Sequence, residues 1–240
     1  MCLAGFGDNS NMYTPLLSSK LSGVVNIVPA DLPGFGTSAL KDRPTTLENL
    51  ADVVARDALA SGATIILAHS LSSIIASLAA AKCNNQIRMI VSLEGNLTRD
   101  DAYFSATAAS YKSARAFRQE FLARLSRLAD THPMYGRYRK SVSLADENAL
   151  WELGCDTYRF GLKHIPGEVL IRSAKVSYLF SKGNLSTSSL LWLAEQDIPR
   201  IELPGATHWV SLFQPHLLAD AIIGVLSFSE NQNRSIGPER

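Results

Sequence analysis

The sequence predicts an α/β fold built on a mostly parallel, doubly wound sheet. Short apolar runs rich in β-branched residues recur at residues 65–67, 89–93 and 176–180. Runs without alternation are typical of strands covered on both faces, as in a parallel sheet. Between them lie segments whose apolar residues are three and four apart, which is typical of amphipathic helices. With 240 residues and 46% hydrophobic content, the chain is long enough to bury one large core.

A sharp strand-to-helix turn is predicted at Ser70. The strand at residues 65–67 ends just before it, and Leu71, Ile74 and Ile75 follow with helical spacing. A serine at such a turn points its hydroxyl out of the fold, and the free N–H groups of the new helix face it. This is a suitable place for a nucleophile, although a serine that only caps a buried helix would also explain this turn.

The remaining elements follow in order. Residues 24–28 are predicted as a strand, and a helix follows with Thr45 as its N-cap and Gly62 at its end. Residues 97–165 show helical periodicity throughout, and the last strand is predicted at residues 198–203. The polar residues 229–240 are predicted to fray.

Four segments resemble motifs of the α/β-hydrolases in their usual order. Residues 68–72, A-H-S-L-S, are similar to the nucleophile elbow G-x-S-x-G, with small residues in place of both glycines. Residues 4–7, A-G-F-G, resemble the turn that supplies an oxyanion N–H. Residues 31–38 are similar to the D-x-P-G-x-G-x-S loop, and residues 205–208 to the G-x-x-H loop. The resemblance covers nearly the whole chain.

The resemblance implies a core interrupted by a cap. Residues 1–96 and 166–240 would form the α/β-hydrolase core, and residues 97–165 an all-helical cap whose aromatic side chains roof an apolar pocket above Ser70. The sheet would be shortened at the N-terminus, either because the sequence start is truncated or because this is a minimal version of the fold. The strand at 24–28 would then lie at the sheet edge, where we expect an association hazard or a homodimer surface.

The same resemblance implies a catalytic triad. His208, in the G-x-x-H segment, is the candidate general base for Ser70. Asn184 holds the place of the usual aspartate, and an amide cannot supply the charge that stabilises an imidazolium. Part of the family carries its acid after the preceding strand, so Glu94 is the implied acid, in the chain order nucleophile, acid, base. Replacing Glu94, and not Asn184, is therefore expected to reduce turnover.

Several polar residues near these motifs also have a possible structural role. The structural alternative for Glu94 is to cap the helix that follows it, but Thr98 and Asp101 already form a capping pair there. His69 is next to the nucleophile but on the wrong side of the turn for a base. The basic run at residues 137–140 is interpreted as a solvated face.

The chemistry implied by the resemblance is acyl transfer without a cofactor or metal. His208 would accept the Ser70 proton as the hydroxyl attacks an ester carbonyl, and the backbone N–H groups of Phe6 and Leu71 would hold the oxyanion. We expect a carboxylic ester hydrolase for a small, largely apolar substrate. A carbon–carbon bond hydrolase or lyase and a non-catalytic ligand-binding relative remain as alternatives. The serine nucleophile disfavours epoxide hydrolases and haloalkane dehalogenases, which use an aspartate.

Composition gives no reason to expect nucleic acid or a membrane surface as a partner, because the formal net charge is +1. Cys2, Cys83 and Cys155 are odd in number and widely spaced, and we interpret them as reduced thiols of a cytoplasmic protein. No stretch approaches the roughly 20 apolar residues of a membrane span, and no signal peptide pattern opens the chain.

Overall fold

One parallel sheet organises the chain in the computed structural model, which describes residues 1–40 and 42–235. Its strands are β1 (Cys2–Leu3), β2 (Pro29–Ala30), β3 (Ile65–His69), β4 (Met89–Leu93), β5 (Lys175–Phe180) and β6 (Arg200–Glu202). They are ordered β2-β1-β3-β4-β5-β6, and every neighbouring pair is parallel. The predicted α/β class with a parallel sheet is confirmed.

Helices connect and flank the strands. They are α1 (Thr14–Leu17), α2 (Leu47–Ser61), α3 (Ser72–Ala80), α4 (Ala114–Ala129), α5 (Met134–Leu144), α6 (Glu147–Lys163), α7 (Pro166–Ser173), α8 (Thr187–Glu195), α9 (Val210–Phe213) and α10 (Pro215–Ser235). Helix α3 packs against α2 and α7, and α10 packs against α1 and α9. The central strands β3 and β4 lie in the core, since all five residues of β4 are buried. Their continuous apolar pattern is thus explained by burial on both faces.

The ends of α2 are set by local chemistry. Its N-cap is Thr46, whose hydroxyl accepts a hydrogen bond from the Asn49 N–H at 3.2 Å. The prediction of Thr45 as N-cap is wrong by one residue, because the Thr45 N–H instead donates to Glu152 of α6 at 2.7 Å. Gly62 ends the helix as predicted, in the left-handed conformation that favours glycine.

The strand predicted at residues 24–28 is wrong, because the strand of this region is β2, at Pro29–Ala30. A short 3-10 turn at Lys20–Gly23 precedes the segment, and the N–H groups of Val24 and Val25 both donate to the Leu21 carbonyl at 3.0 Å. These bonds turn the chain and prevent an extended strand. Only the Val28 carbonyl reaches the sheet, where it accepts a hydrogen bond from the Cys2 N–H at 2.8 Å.

The segment between β4 and β5 contains helical elements and no strand, as its periodicity predicts. Two 3-10 stretches, Arg99–Ala102 and Ser105–Ser110, are followed by α4, α5 and α6. Helix α4 packs against α5 and α6, and α6 packs against the second 3-10 stretch. The division of the chain into a core and an inserted cap stays a prediction.

The C-terminal segment continues α10 to Ser235. The prediction that fraying begins at residue 229 is therefore wrong for the backbone of residues 229–235, and residues 236–240 lie outside the described part of the chain. Among the helices of the described residues, none is long and apolar enough to span a bilayer.

Candidate active site

The carboxyl ends of β1, β3 and β4 open onto one cavity. It encloses about 390 Å³ of empty space, part of which is open to solvent. Its lining residues are Gly5, Phe6, Asp8, His69, Ser70, Leu71, Asn96, Asp101, Tyr103, Phe104, Ser105, Tyr138, His208 and Trp209. Five of these are aromatic, and three of the five come from the segment between β4 and β5. Aromatic side chains of the segment between β4 and β5 therefore line a small cavity that also contains Ser70, and their role as the roof of a cap stays a prediction.

Ser70 lies at the turn between β3 and α3. Its φ angle is +53°, a left-handed conformation that an L-residue adopts only under constraint. The constraint comes from hydrogen bonds on both sides, since the Ser70 N–H donates to the Leu93 carbonyl and its own carbonyl accepts from the Ser73 N–H, each at 3.0 Å. The N-cap of α3 is Leu71, and no side chain caps the helix. The alternative role of Ser70 as a capping residue is thus not supported.

The small residues around the turn have different reasons for their size. A Cβ added to Gly5 would lie 2.9 Å from His69 Nδ1 and 3.1 Å from Ser70 Cβ, so β1 approaches the turn as closely as a glycine allows. Ser72 is fully buried, and its hydroxyl donates a hydrogen bond to the Ala4 carbonyl. A serine in place of the usual glycine therefore ties α3 to the end of β1.

His208 and Glu94 are in direct contact. His208 Nδ1 lies 2.6 Å from Glu94 Oε2, and the side chains are 17% and 2% exposed, respectively. With Glu94 as acceptor, Nδ1 carries the proton and Nε2 is left with its lone pair. This is the tautomer that a general base requires.

Glu94 is fixed by further hydrogen bonds. Its second oxygen, Oε1, accepts from the Ser181 N–H at 3.0 Å and from Asn184 Nδ2 at 2.8 Å. The φ angle of Glu94 is +46°, so the chain leaves β4 through a second left-handed residue. Its carboxylate therefore has donors on both oxygens.

Asn184 has a contact that the sequence did not predict. Its amide donates to Glu94 Oε1 and, at 2.9 Å, to the Ala206 carbonyl, two residues before His208. The residue at the usual aspartate position thus holds the acid and the histidine loop together. The expectation that its replacement leaves turnover unchanged no longer follows.

His69 is buried behind the histidine loop. Its Nε2 lies 2.9 Å from the His208 carbonyl oxygen, and the two imidazole rings are 4.4 Å apart. Its Nδ1 has no partner in the part of the chain that the structure describes. Burial, with the neighbouring His208 second, lowers the pKa of His69 well below its ordinary value. His69 is therefore neutral and donates through Nε2 to a carbonyl, which agrees with the predicted structural role.

Phe6 and Leu71, the expected oxyanion donors, both line the cavity and are buried. Tyr138 of α5 donates through its hydroxyl to the Phe6 carbonyl oxygen at 2.5 Å. This contact orients the turn at residues 5–7. The backbone N–H groups of Phe6 and Leu71 stay predicted oxyanion donors.

A buried ion pair lies beside this turn. Asp8 pairs with Arg137 of α5, and its carboxylate also accepts hydrogen bonds from Trp209 Nε1 at 3.1 Å and from the Asn9 N–H at 2.9 Å. The interpretation of residues 137–140 as a solvated face is wrong for Arg137 and Tyr138. Both turn inward because their partners are in the turn after β1. The helical spacing alone did not show this.

Sequence reasoning missed Asp8, Asn184 and Asn96 as residues of the site. Asp8 directly follows the G-F-G turn, and Asn96 lies two residues after Glu94, so proximity to a motif was the available signal. Within the described part of the chain, no group of three or more His, Cys, Asp or Glu residues is arranged to hold a metal ion.

Comparisons with known proteins agree with this architecture. The description "Alpha/beta hydrolase family" belongs to the family profile that matches residues 1–221. None of the curated proteins compared with the chain matches it.

Solved structures resemble the fold at low sequence identity. An esterase from Thermogutta terrifontis superposes with a TM-score of 0.72 at 16% identity, over 94% of this chain and 88% of the esterase. A structure from a study of carboxylesterases of Nitrososphaera gargenis has a TM-score of 0.67 at 18% identity, over 96% and 90% of the two chains. An N-acyl homoserine lactonase has a TM-score of 0.72 at 14% identity, over 100% and 90%. The profile match extends over most of the chain, and on this evidence the chain belongs to the alpha/beta hydrolase family.

Proposed function

We propose that this protein is a cofactor-independent serine hydrolase that cleaves carboxylic esters through Ser70, His208 and Glu94. The observation that carries the proposal is the 2.6 Å contact between His208 Nδ1 and Glu94 Oε2, in a site whose cavity also contains Ser70. The family supplies hydrolase chemistry, and esterases are among the structures that share the fold. The small cavity with aromatic walls favours a small, largely apolar substrate.

The proposed reaction has two steps. His208 Nε2 takes the Ser70 proton while Oγ bonds to the carbonyl carbon, and the alcohol leaves with that proton, which gives an acyl-enzyme. Water then attacks the acyl carbon, His208 accepts its proton and returns it to Ser70, and the acid is released. The N–H groups of Phe6 and Leu71 stabilise the oxyanion in both steps.

The contact between Asn184 and Glu94 affects how the alternative functions compare, namely a non-catalytic relative and a carbon–carbon bond hydrolase or lyase. Asn184 replaces the usual acid, and this would favour a non-catalytic relative if no other carboxylate contacted His208. With a carboxylate on His208 from Glu94 and the Asn184 amide bonded to that carboxylate, this support is lost. A carbon–carbon bond hydrolase or lyase would use the same Ser-His pair, and no contact in the site favours it over an esterase.

A fluorophosphonate probe tests the proposal directly. We expect stoichiometric labelling of the wild-type protein, no labelling of Ser70→Ala, and loss of p-nitrophenyl ester hydrolysis in that variant by about four orders of magnitude or more. Ser73→Ala is the matched control, because this buried hydroxyl has no hydrogen-bond partner among the described residues and its removal should leave labelling intact. A folded wild-type protein that neither reacts with the probe nor hydrolyses esters would exclude the proposed function.

A further inference from the structure

Asn96 is a polar residue of the cavity wall that the proposed reaction does not use. It follows β4 two residues after Glu94 and lines the same cavity as Ser70 and His208. Its side chain belongs to a residue that is only 2% exposed. Asn96 is therefore held inside the site and away from bulk water.

The Asn96 carboxamide makes no hydrogen bond within the described part of the chain, and its Oδ1 is enclosed without a partner. The amides of other buried or half-buried asparagines are bonded, as in Asn184, which donates twice. A buried carbonyl oxygen without a donor is unfavourable, and such groups in native proteins call for a partner. The missing partner of Asn96 is a hydrogen-bond donor.

The surroundings indicate where this donor comes from. Phe6, Phe104 and Trp209 line the cavity with aromatic surface. The terminal torsion of an asparagine has a broad, two-fold profile, and no protein hydrogen bond holds this one. The oxygen can therefore turn to meet a donor that enters the cavity with a ligand.

We propose that Asn96 is a specificity-determining residue that accepts a hydrogen bond from an N–H or O–H group of the substrate. The substrate class is then an ester with one donor group, such as an amide N–H, on an otherwise largely apolar body. This inference rests on the proposed ester hydrolysis at Ser70. A pocket built to bond a donor discriminates against an analogue that lacks it, because the polar protein group is then left unpaired.

Shape-matched esters test the proposal. The p-nitrophenyl esters of N-acetylglycine and of 4-oxopentanoic acid differ by an N–H in place of a CH₂ group in the acyl part. The butyrate esters of 2-acetamidoethanol and of 5-hydroxypentan-2-one differ in the same way in the alcohol part. For each pair, the ratio of kcat/KM values in a variant is divided by the wild-type ratio, which cancels the intrinsic reactivity of the esters.

In at least one pair, Asn96→Ala is expected to lower the preference for the N–H ester by about three- to tenfold, the range for one neutral hydrogen bond. Asn96→Leu, which keeps the number and branching of the side-chain heavy atoms, provides the same test if the alanine variant does not fold. Tyr103→Phe is the control, because it removes another polar atom from a cavity-lining residue and should leave both ratios unchanged.

Two different failures can be told apart. If esters are hydrolysed and Ser70 is labelled, but neither ratio changes in the Asn96 variants, this inference is overturned and the proposed function stands. The same holds if Tyr103→Phe changes the ratios as much as the Asn96 variants do. If the folded wild-type protein hydrolyses no ester and is not labelled, both proposals are overturned.

Discussion

Glu94 receives three donors at its two carboxylate oxygens, and His208 is one of them. Glu94→Gln keeps the shape of the side chain but removes the charge that stabilises the imidazolium. We expect kcat for a p-nitrophenyl ester to fall by about four orders of magnitude, with little change in KM. The unfolding transition in urea serves as the control for folding. A variant that keeps more than a tenth of wild-type kcat would show that Glu94 is not the triad acid.

Asn184 gives a second prediction, opposite to what motif matching suggests. Asn184→Asp restores the family's usual residue but places a second carboxylate against Glu94 Oε1, in place of a donor at 2.8 Å. Like charges at this distance raise the pKa of one carboxyl group and disturb the ion pair with His208. We expect Asn184→Asp to be at least tenfold slower than wild type in steady-state assays at neutral pH. A variant as fast as wild type would contradict the positioning role, and Asn184→Ala separates the lost donor from the added charge.

His69 makes stability depend on pH. Burial first, and then the charge of His208, lowers its pKa well below the ordinary value of 6.5, so the folded protein keeps it neutral while the unfolded chain binds a proton below that pH. Its contribution to stability is thus present above pH 6.5 and is lost on acidification below it, with a slope of at most about 1.4 kcal/mol per pH unit.

Urea unfolding of wild type and His69→Gln between pH 7 and pH 5 measures this term. The glutamine variant should be less stable at pH 7, and the difference from wild type should shrink as the pH falls. Parallel pH profiles for the two proteins would show that His69 does not provide the proton linkage.

At the scale of elements, the pair between Asp8 and Arg137 joins the turn after β1 to α5. The Asp8 side chain is 1% exposed and that of Arg137 is 25% exposed. Arg137→Met leaves a buried carboxylate without its counter-ion, and we expect it to reduce the free energy of unfolding by about 2 kcal/mol, less than a fully buried pair because Arg137 is partly solvated.

The double variant Asp8→Asn/Arg137→Met provides the matched comparison. Since it removes the buried charge along with its partner, it should be more stable than Arg137→Met alone in the same urea titration. Equal stabilities would indicate that Arg137 contributes through packing of its aliphatic part instead.

The predicted strands are correct where burial on both faces determines the pattern of apolar residues. β3 and β4 are covered on both faces, and their apolar runs were sufficient to locate them. The segment at residues 24–28 has the same composition, yet the backbone bonds of Val24 and Val25 to Leu21 turn it out of the sheet. A valine-rich run does not show whether a neighbouring strand is available to pair with it, which is why this strand could not be excluded from sequence.

At the scale of the whole molecule, the homodimer stays a prediction. The residues at the sheet edge determine which substitution tests it. β2 has two residues, and Pro29 has no N–H to donate, so strand pairing alone would hold a dimer weakly. Val24 and Val28, which are 55% and 37% exposed, supply apolar surface beside this edge. Light scattering should show association that Val28→Lys reduces, while Leu191→Lys, an exposed apolar position on α8, leaves it unchanged. A strict monomer at high wild-type concentration would overturn the prediction.

The places of Ser70, His208 and Glu94 in the candidate site could be predicted because each stands in a recognisable local motif, or at the end of a recognisable strand, while their catalytic roles stay proposals. Their supports could not be predicted, since the partners of Asp8 and Glu94 are distant in sequence. Arg137 is 129 residues from Asp8, and Asn184 is 90 residues from Glu94. Such contacts depend on how α5 and the loop after β5 are packed, and no short-range pattern encodes that packing.

The left-handed conformations of Ser70 and Glu94 have a consequence for engineering. Each L-residue in this conformation costs about 1–2 kcal/mol relative to an unstrained backbone, and glycine does not carry that penalty. Selection for heat resistance alone would therefore favour glycine at Ser70, on which the proposed chemistry depends, whereas glycine at Glu94 would also remove three hydrogen bonds. Ser70→Gly should melt at a higher temperature than Ser70→Ala, and neither should turn over substrate. A thermostability screen of this protein consequently has to score turnover in the same round.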